Sequence, residues 1–234
     1  MSDVPNRSRI EATLAREIAK ISAPALRKLL AALGDPPSLN NVPDSFWRDY
    51  EAELRAVLSD ALQAIYADQA QTMAREASLT ASVNWNQVNQ VAADWAQGYS
   101  FELVKGIEQT TQAALQTIIS KGIEQTLPLS EIRMSIEQVA GQLFGPDRAA
   151  VIATTELTRA AAEGEAATVA QLADAGVNMT GIWMTREDEI VCDVCGALDG
   201  KRQTGGMFEA DGEFYDMPPA HPNCRCSIGW EMAQ

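Results

Sequence analysis

Histidine is nearly absent from this sequence, and that scarcity excludes several kinds of metalloenzyme. The chain of 234 residues has a single histidine and four cysteines. One histidine cannot supply the H-E-x-x-H motif of zinc proteases. The H-x-E and P-C-x-x-C pattern of zinc deaminases is also missing, because Val191 precedes the C-x-x-C and Pro222-Asn223 follow His221. These absences argue against hydrolytic zinc chemistry.

Basic residues and long apolar runs are scarce as well. The 18 Lys and Arg stand against 32 Asp and Glu, a formal net charge of −14. Since phosphate affinity comes largely from Lys and Arg, this balance opposes general nucleic-acid binding, whereas it suits solubility or docking on a basic protein surface. No apolar run approaches the roughly 18 residues of a membrane-spanning helix. We also recognise no signal peptide, so we expect no membrane contact and reduced thiols.

All four cysteines and the histidine fall in one window near the C-terminus. A C-x-x-C pair followed by an H-x-x-C pair places four soft ligands on two tight turns, the arrangement that tetrahedral zinc requires. The five candidate ligands are Cys192, Cys195, His221, Cys224 and Cys226. We favour the first four, with Cys226 as the substitute. Two disulfides or free buried thiols are the alternative interpretations.

The predicted zinc site is interpreted as structural. Catalytic zinc sites keep three protein ligands and an open position for water, and five candidate ligands leave little room for one. The segment around the site is acidic, since Gly181–Gln234 has ten acidic and four basic residues. Any DNA contact would therefore be local and would use the four basic side chains, Arg186, Lys201, Arg202 and Arg225.

Apolar residues at helical spacing predict helices over most of the chain before residue 176. Residues 1–7 are polar and predicted to be frayed. A first helix is predicted from Ile10 to Ile21, and Ser22 is predicted to cap a second one with Pro24 in its first turn. The other predicted helices run over about 44–78, from about 84 onward, from a Ser130 cap to about 145, and over about 147–175. The helix over 44–78 would span roughly 50 Å, so it is expected to pack along other helices or along a partner.

The last predicted helix has one unusually small side. Small or apolar residues at helical spacing would let a neighbouring helix approach closely: Ala153, Leu157, Ala160, Gly164 and Ala167. Glu156, Arg159 and Glu163 form a charge ladder, which is usually a solvated face. Gly176 is predicted to end this helix in the left-handed conformation.

After Gly176 the pattern changes to short strands. Strands are predicted at Thr180–Thr185 and Cys226–Trp230. The loop over Gly205–Asp216 is rich in Gly and acidic residues and is expected to bury little, so the metal would be its anchor. The predicted fold is mainly α, an elongated helical bundle followed by a small zinc-stabilised α+β lobe. The predicted domains are an N-terminal helical docking region over 1–80, a helical core over 81–176 and a zinc-binding lobe over 177–234.

The same residues carry a family resemblance. The order Trp183, Asp188, C-x-x-C, Leu198-Asp199-Gly200, Phe208 and Pro218–Cys226 resembles the C-terminal domain of the phage Mu F-like minor head proteins, the phage head morphogenesis family. Upstream, Ile152–Ala160 resembles the family's helix with an Ala-Arg-Thr-Glu signature, with Thr154 in place of the Arg. The resemblance covers about residues 85–230, and it implies that Glu156 braces the zinc lobe.

The resemblance implies a structural protein of the virion. Such a protein would join the portal vertex of the phage head, contact the portal protein and head subunits, and influence DNA packaging or ejection. It would be present in few copies or as an oligomer in the head, after assembly in the host cytoplasm. One alternative is a zinc module that contacts packaged DNA. Another is an enzyme related to toxin or ADP-ribosyltransferase modules, which would need a further catalytic domain; we expect no enzymatic activity.

Overall fold

The chain is mainly helical with a small β region at its C-terminal end, which confirms the predicted fold class. The structure, a computed structural model, describes residues 4, 6–76 and 83–233. None of the helices in these ranges is long and apolar enough to cross a membrane. The helices are α1 (Arg7–Ala32), α2 (Asp44–Glu76), α3 (Trp85–Glu124), α4 (Leu129–Leu143), α5 (Pro146–Asp174) and α6 (Asp193–Leu198). The strands are β1 (Met179–Met184), β2 (Phe208–Ala210), β3 (Glu213–Tyr215) and β4 (Ser227–Met232).

The first helix corrects two predictions. The two helices predicted on either side of Ser22 are one continuous helix, α1, with Pro24 inside it. Ser22 is buried, and its hydroxyl lies 3.4 Å from the hydroxyl of Tyr50, so it makes a tertiary contact instead of a cap. Arg7, predicted to be frayed, begins the helix with its side chain buried. Tertiary contacts outweigh the local signals of proline and serine here.

The middle helices follow the apolar pattern closely. The predicted end of the second long helix at Ser78 lies outside the described residues, and α2 is described to Glu76. The cap predicted at Ser130 is wrong: Pro128 occupies the N-cap position of α4 and makes no side-chain cap. After α5, Gly176 has φ +87° and ends the helix in the left-handed conformation, as predicted.

Contacts divide the chain into two compact units. The cysteine unit consists of Met1–Glu11, Asp60–Ala96 and Val151–Gln234, and the helical unit of Ala12–Ser59 and Gln97–Ala150. Four helices, α1, α2, α3 and α5, contribute residues to both units. The predicted domain boundaries at residues 80 and 176 concern independent folding and stay a prediction.

The helical unit has an apolar and aromatic core. Tyr50 of α2 packs against Phe144 with ring centroids 5.3 Å apart. Leu54 and Leu58 are fully buried on the same face of α2. The long helix over 44–78 was expected to pack along other helices of the chain or along a partner. Around Tyr50, Leu54 and Leu58 it is covered by the chain's own helices. The larger apolar side chains that stay exposed on the described helices are Val91, Phe101, Ile123, Leu129, Met134 and Val194.

In the cysteine unit, α2 and α5 approach closely where Gly164 lies. A Cβ placed on Gly164 would stand 2.3 Å from the backbone oxygen of Tyr66, so only glycine fits against this backbone. Ala153, Leu157 and Ala160 on the same helix are fully buried. The predicted close approach along the small side of α5 is confirmed.

The C-terminal lobe is built on two short antiparallel pairs. β1 pairs with β4, with Trp183 opposite Ile228, and β2 pairs with β3. The lobe has an apolar core of its own, centred on Trp183, Leu198, Phe208 and Ile228, each at most 1% exposed. Trp183 and Phe208 meet edge to face with centroids 5.2 Å apart. The expectation that the Gly-rich loop buries little is wrong for Phe208 and Ala210, which belong to that loop and are buried. That a metal anchors the loop stays a prediction.

Candidate metal centre

The C-x-x-C pair and the histidine form one group of potential ligands. Nε2 of His221 lies 3.0 Å from Sγ of Cys192 and 3.1 Å from Sγ of Cys195. All three ligand atoms lie within 4.8 Å of one another. Cys195 is buried, His221 half-buried and Cys192 exposed. This group lies at the surface with one ligand anchored in the lobe core.

The remaining cysteines form a second group that shares Cys195 with the first. The sulfur atoms of Cys195, Cys224 and Cys226 lie within 4.8 Å of one another, and all three residues are buried. Sγ of Cys195 stands 3.7 Å from Sγ of Cys224. Cys195 is thus common to both groups, and the structure brings all five predicted ligands together around it. Which four of them bind an ion stays a prediction.

The donor set fits a tetrahedral metal. With Zn–S bonds of about 2.3 Å, two sulfurs of a tetrahedral site stand about 3.8 Å apart, close to the 3.7 Å between Cys195 and Cys224. A Zn–N bond of about 2.0 Å gives S–N separations of about 3.5 Å, so the two distances to His221 would lengthen slightly around an ion. Thiolate and imidazole are the ligands that zinc takes in structural sites. The cluster can therefore hold a metal ion.

Local backbone geometry explains how neighbouring ligands converge. Cys192 is the N-cap of α6, and its sulfur accepts a hydrogen bond from the backbone N–H of Cys195 at 3.5 Å. The C-x-x-C pair therefore shares one helical turn. His221 has Nδ1 2.7 Å from the carbonyl oxygen of Pro222. When Nδ1 carries the proton and donates to that oxygen, Nε2 is left free as a ligand, the usual arrangement in metal centres.

The sulfurs of the buried group interact with one another electrostatically. Hydrogen bonds to Cys224 and Cys226, together with burial, raise the pKa of the Cys195 thiol. The hydrogen bond from Cys195 lowers the pKa of Cys224. A thiolate at Cys224 is thus favoured by its sulfur neighbours, and thiolates are the form in which cysteine binds metals.

An exposed ion pair lies next to the cysteines. Arg225, between the last two cysteines, donates two hydrogen bonds to the carboxylate of Asp188, at 2.8 and 2.7 Å. The Arg225 guanidinium holds the pKa of Asp188 below its ordinary value. Bidentate pairs of this kind fix orientation as well as charge. Both residues are part of the family resemblance, and Arg225 is also a candidate DNA contact, but their pairing was not predicted from the sequence.

Two threonines of α5 form hydrogen bonds with the backbone of the H-P-N-C-R-C loop. The hydroxyl of Thr155 accepts the backbone N–H of Asn223 at 2.7 Å, and that of Thr158 donates to the carbonyl oxygen of Cys224 at 2.8 Å. Asn223 has φ +64°, a left-handed conformation that asparagine tolerates better than most residues. Sequence reasoning missed Thr158, since a threonine on a helix carries no local signal of such a contact.

A buried carboxylate joins the lobe to the helices of the cysteine unit. Glu165 of α5 is 2% exposed, and it accepts hydrogen bonds from Gln69 at 2.6 Å and from the indole N–H of Trp230 at 3.0 Å. Glu156, placed by the charge-ladder pattern on a solvated face, is buried and lies 3.6 Å from Arg159. The solvated interpretation is therefore wrong for Glu156, and its bracing role stays a prediction.

The fold and the site together define a class of protein: a helical chain whose small C-terminal lobe gathers cysteines and a histidine in a potential metal centre. The family model described as Phage Mu protein F like protein matches residues 109–229, just over half of the chain. The chain therefore belongs to this family of phage head morphogenesis proteins. The matched range includes α5 and the whole cysteine–histidine cluster, as the resemblance predicted. No curated protein and no solved structure shows significant similarity to the chain.

Proposed function

We propose that this chain is a structural minor head protein of a tailed double-stranded DNA phage, that it acts at the portal vertex, and that it performs no catalysis. The observation that carries the proposal is the family match over residues 109–229. In this role the protein resides in the virion, contacts the portal protein and head subunits, and influences DNA packaging or ejection. The helical docking region over 1–80 makes the protein contacts, and the formal net charge of −14 of the whole chain favours a basic partner.

Zinc is the proposed ion of the metal centre, and its role is structural. The support is the donor set of cysteine and histidine and the sulfur separation that matches a tetrahedral site. An ion bound by Cys195 would connect α6 to the H-P-N-C-R-C loop, two segments that are far apart along the chain. It would thereby hold the exposed edge of the lobe, while the apolar core around Trp183 holds its interior.

The charge pattern of the lobe supports protein contacts over DNA contacts. Within the described part of the lobe, Arg225 is paired with Asp188 and Arg202 with Glu231. Their charges are thus partly neutralised before any phosphate could be met. A DNA-binding module would instead concentrate unpaired basic residues on one face.

Incorporation into heads tests the structural role. A tagged copy of the chain is expressed during assembly of its phage, heads are purified, and the protein is quantified against the major head subunit. We expect a few copies per head, located at the portal vertex by cryo-microscopy. Absence from purified heads, or an even distribution over the shell, would contradict the proposal. Retention on DNA that falls steeply with salt would favour the DNA-binding alternative.

Metal analysis tests the zinc centre separately. Protein purified without added metal should contain about one zinc per chain, and Cys195→Ser should contain none, because Cys195 belongs to both ligand groups. Val194→Ser, a change at an exposed neighbour of the same turn, is the matched control and should keep its zinc. A zinc-free wild-type protein would refute the zinc assignment but would not bear on the proposed location of the protein in the head.

A further inference from the structure

We propose that Arg7 is a positioning residue for the metal centre, acting through Thr158 on the backbone of Cys224. The proposal rests on the zinc centre proposed above and extends it to the N-terminal helix. In this proposal, the first turn of α1 helps to position the loop that carries Cys224 and Cys226. Arg7 and Cys224 belong to the same compact unit although they lie near opposite ends of the sequence.

The first step is the burial and pairing of Arg7. Its side chain is only 6% exposed. Its Nε donates to Glu11 at 2.8 Å, and its Nη2 donates to the hydroxyl of Thr158. Because a buried cation is costly unless it is paired and hydrogen-bonded, these two contacts fix the guanidinium in one place.

The second step is the direction of the hydrogen bonds at Thr158. An arginine can only donate, so the oxygen of Thr158 accepts from Arg7. The single hydroxyl proton of Thr158 is then directed to the carbonyl oxygen of Cys224, 2.8 Å away. Consecutive hydrogen bonds of this kind polarise and strengthen one another. Arg7 therefore occupies the acceptor side of the hydroxyl whose proton bonds to Cys224, and it fixes that hydroxyl in place.

The third step is a second anchor one turn away on α5. The hydroxyl of Thr155 donates to Val151 and accepts the N–H of Asn223, each at 2.7 Å. The N–H of Asn223 and the carbonyl oxygen of Cys224 are thus both attached to one face of α5. This attachment orients the loop that presents Sγ of Cys224 at 3.7 Å from Cys195.

The consequence is a measurable dependence of zinc affinity on the N-terminal helix. Removing a partner outside the ligand shell typically lowers metal affinity roughly 10- to 100-fold. We therefore expect Arg7→Gln and Thr158→Val each to weaken zinc binding about 10-fold. Since both act through the same hydrogen bond to Cys224, the double variant should lose about as much as one single variant and not the product of the two losses.

The test measures zinc affinity of the full chain by competition with a chromophoric chelator. Thr158→Ser keeps the hydroxyl and should bind zinc as the wild type does. Thr168→Val is the matched control on α5: it removes a fully buried hydroxyl that lies near the carbonyl oxygens of Gly164 and Ala70 and does not contact the cysteine loop. Arg9→Gln removes an exposed charge from the same turn of α1 as a control for Arg7→Gln. Both control variants should keep a zinc affinity within about 2-fold of the wild type, well short of the roughly 10-fold loss expected when a residue that supports a ligand is removed.

Amide hydrogen exchange provides a second readout that needs no metal. Arg7→Gln and Thr158→Val should accelerate exchange at Asn223 and Cys224, whereas Thr168→Val should not. Wild-type zinc affinity and unchanged exchange in both variants would overturn the proposal, as would losses that multiply in the double variant. A wild-type protein without zinc affinity would instead refute the zinc centre, and exchange would still decide the role of Arg7.

Discussion

Replacing Gly164 by alanine tests the close packing of α5 against α2 in the cysteine unit. The added Cβ would stand 2.3 Å from the backbone oxygen of Tyr66 and 3.0 Å from its carbonyl carbon. These are backbone atoms, so no side-chain rotation relieves the overlap and α2 must move. Gln69, one turn after Tyr66 on α2, donates at 2.6 Å to Glu165, the residue next to Gly164, and that bond would be disturbed as well.

Two effects of opposite sign decide the magnitude. Alanine is favoured over glycine in a helix interior by about 1 kcal/mol. Overpacking of a tight interior typically costs about 1–3 kcal/mol, and a contact with backbone lies toward the upper end. We therefore expect Gly164→Ala to lower the free energy of unfolding by about 2 kcal/mol. Gly98→Ala is the matched control, because Gly98 is an exposed position inside α3 with nothing within 4 Å of an added Cβ, and it should raise stability by up to about 1 kcal/mol.

Urea unfolding followed by far-UV dichroism measures both variants. With a slope of about 2 kcal/mol per molar urea, the midpoint of Gly164→Ala should fall by about 1 M while that of Gly98→Ala rises slightly. Equal stability of Gly164→Ala and the wild type would refute the reasoning. It would mean that α2 and α5 separate without cost and that glycine is not required between them.

Three further predictions follow from burial, charge and the metal centre. Phe208→Ala should cost about 3–5 kcal/mol because the ring is fully buried in the lobe core, whereas Phe214→Ala, which is 67% exposed, should change stability by less than about 0.5 kcal/mol. Burial and the neighbouring Glu51 raise the pKa of Glu108 from 4.5 to about 7. Glu108→Gln should therefore have the same free energy of unfolding as the wild type below pH 4.5. Above pH 7 it should be more stable by about 1 kcal/mol, after allowance for solvent screening. Cys195→Ser should lose the metal yet keep the helical dichroism signal, because the helices bury their own apolar faces.

Each of these predictions has an outcome that would contradict it. A loss of stability in Phe208→Ala that is as small as the loss expected for Phe214→Ala, measured by urea unfolding, would show that the lobe core contributes little stability. For Glu108, the folded state binds its proton more tightly than the unfolded state does, so its favourable contribution is complete below pH 4.5 and is lost as the pH rises through about 7. A thermal midpoint difference independent of pH would contradict this shift. Loss of most helical signal in Cys195→Ser would indicate one fused core.

The sequence by itself determined the cysteine–histidine cluster of the candidate metal centre and much of the helical pattern. Cys192 and Cys195 lie on one helical turn, so their convergence depends only on local spacing. The convergence of His221, Cys224 and Cys226 likewise follows from their closeness in the short H-P-N-C-R-C segment. The end of α5 at Gly176 and its small side at Gly164 were also predictable, because left-handed backbone and close helix approach both require glycine. The family match over 109–229 includes the same clustered residues.

Only the tertiary structure decided which distant side chains support that cysteine–histidine cluster. Arg7, Thr158 and Glu165 make contacts with residues far away in sequence, and no periodicity or spacing encodes such contacts. Ser22 and Pro24 carry the local signals of a helix start, yet α1 continues through them. Local propensities amount to about 1 kcal/mol per residue, proline apart, whereas burial of a whole helix face is worth several times more. The contacts made in the folded chain therefore determined where α1 begins, what the lobe buries and how the cysteines are held.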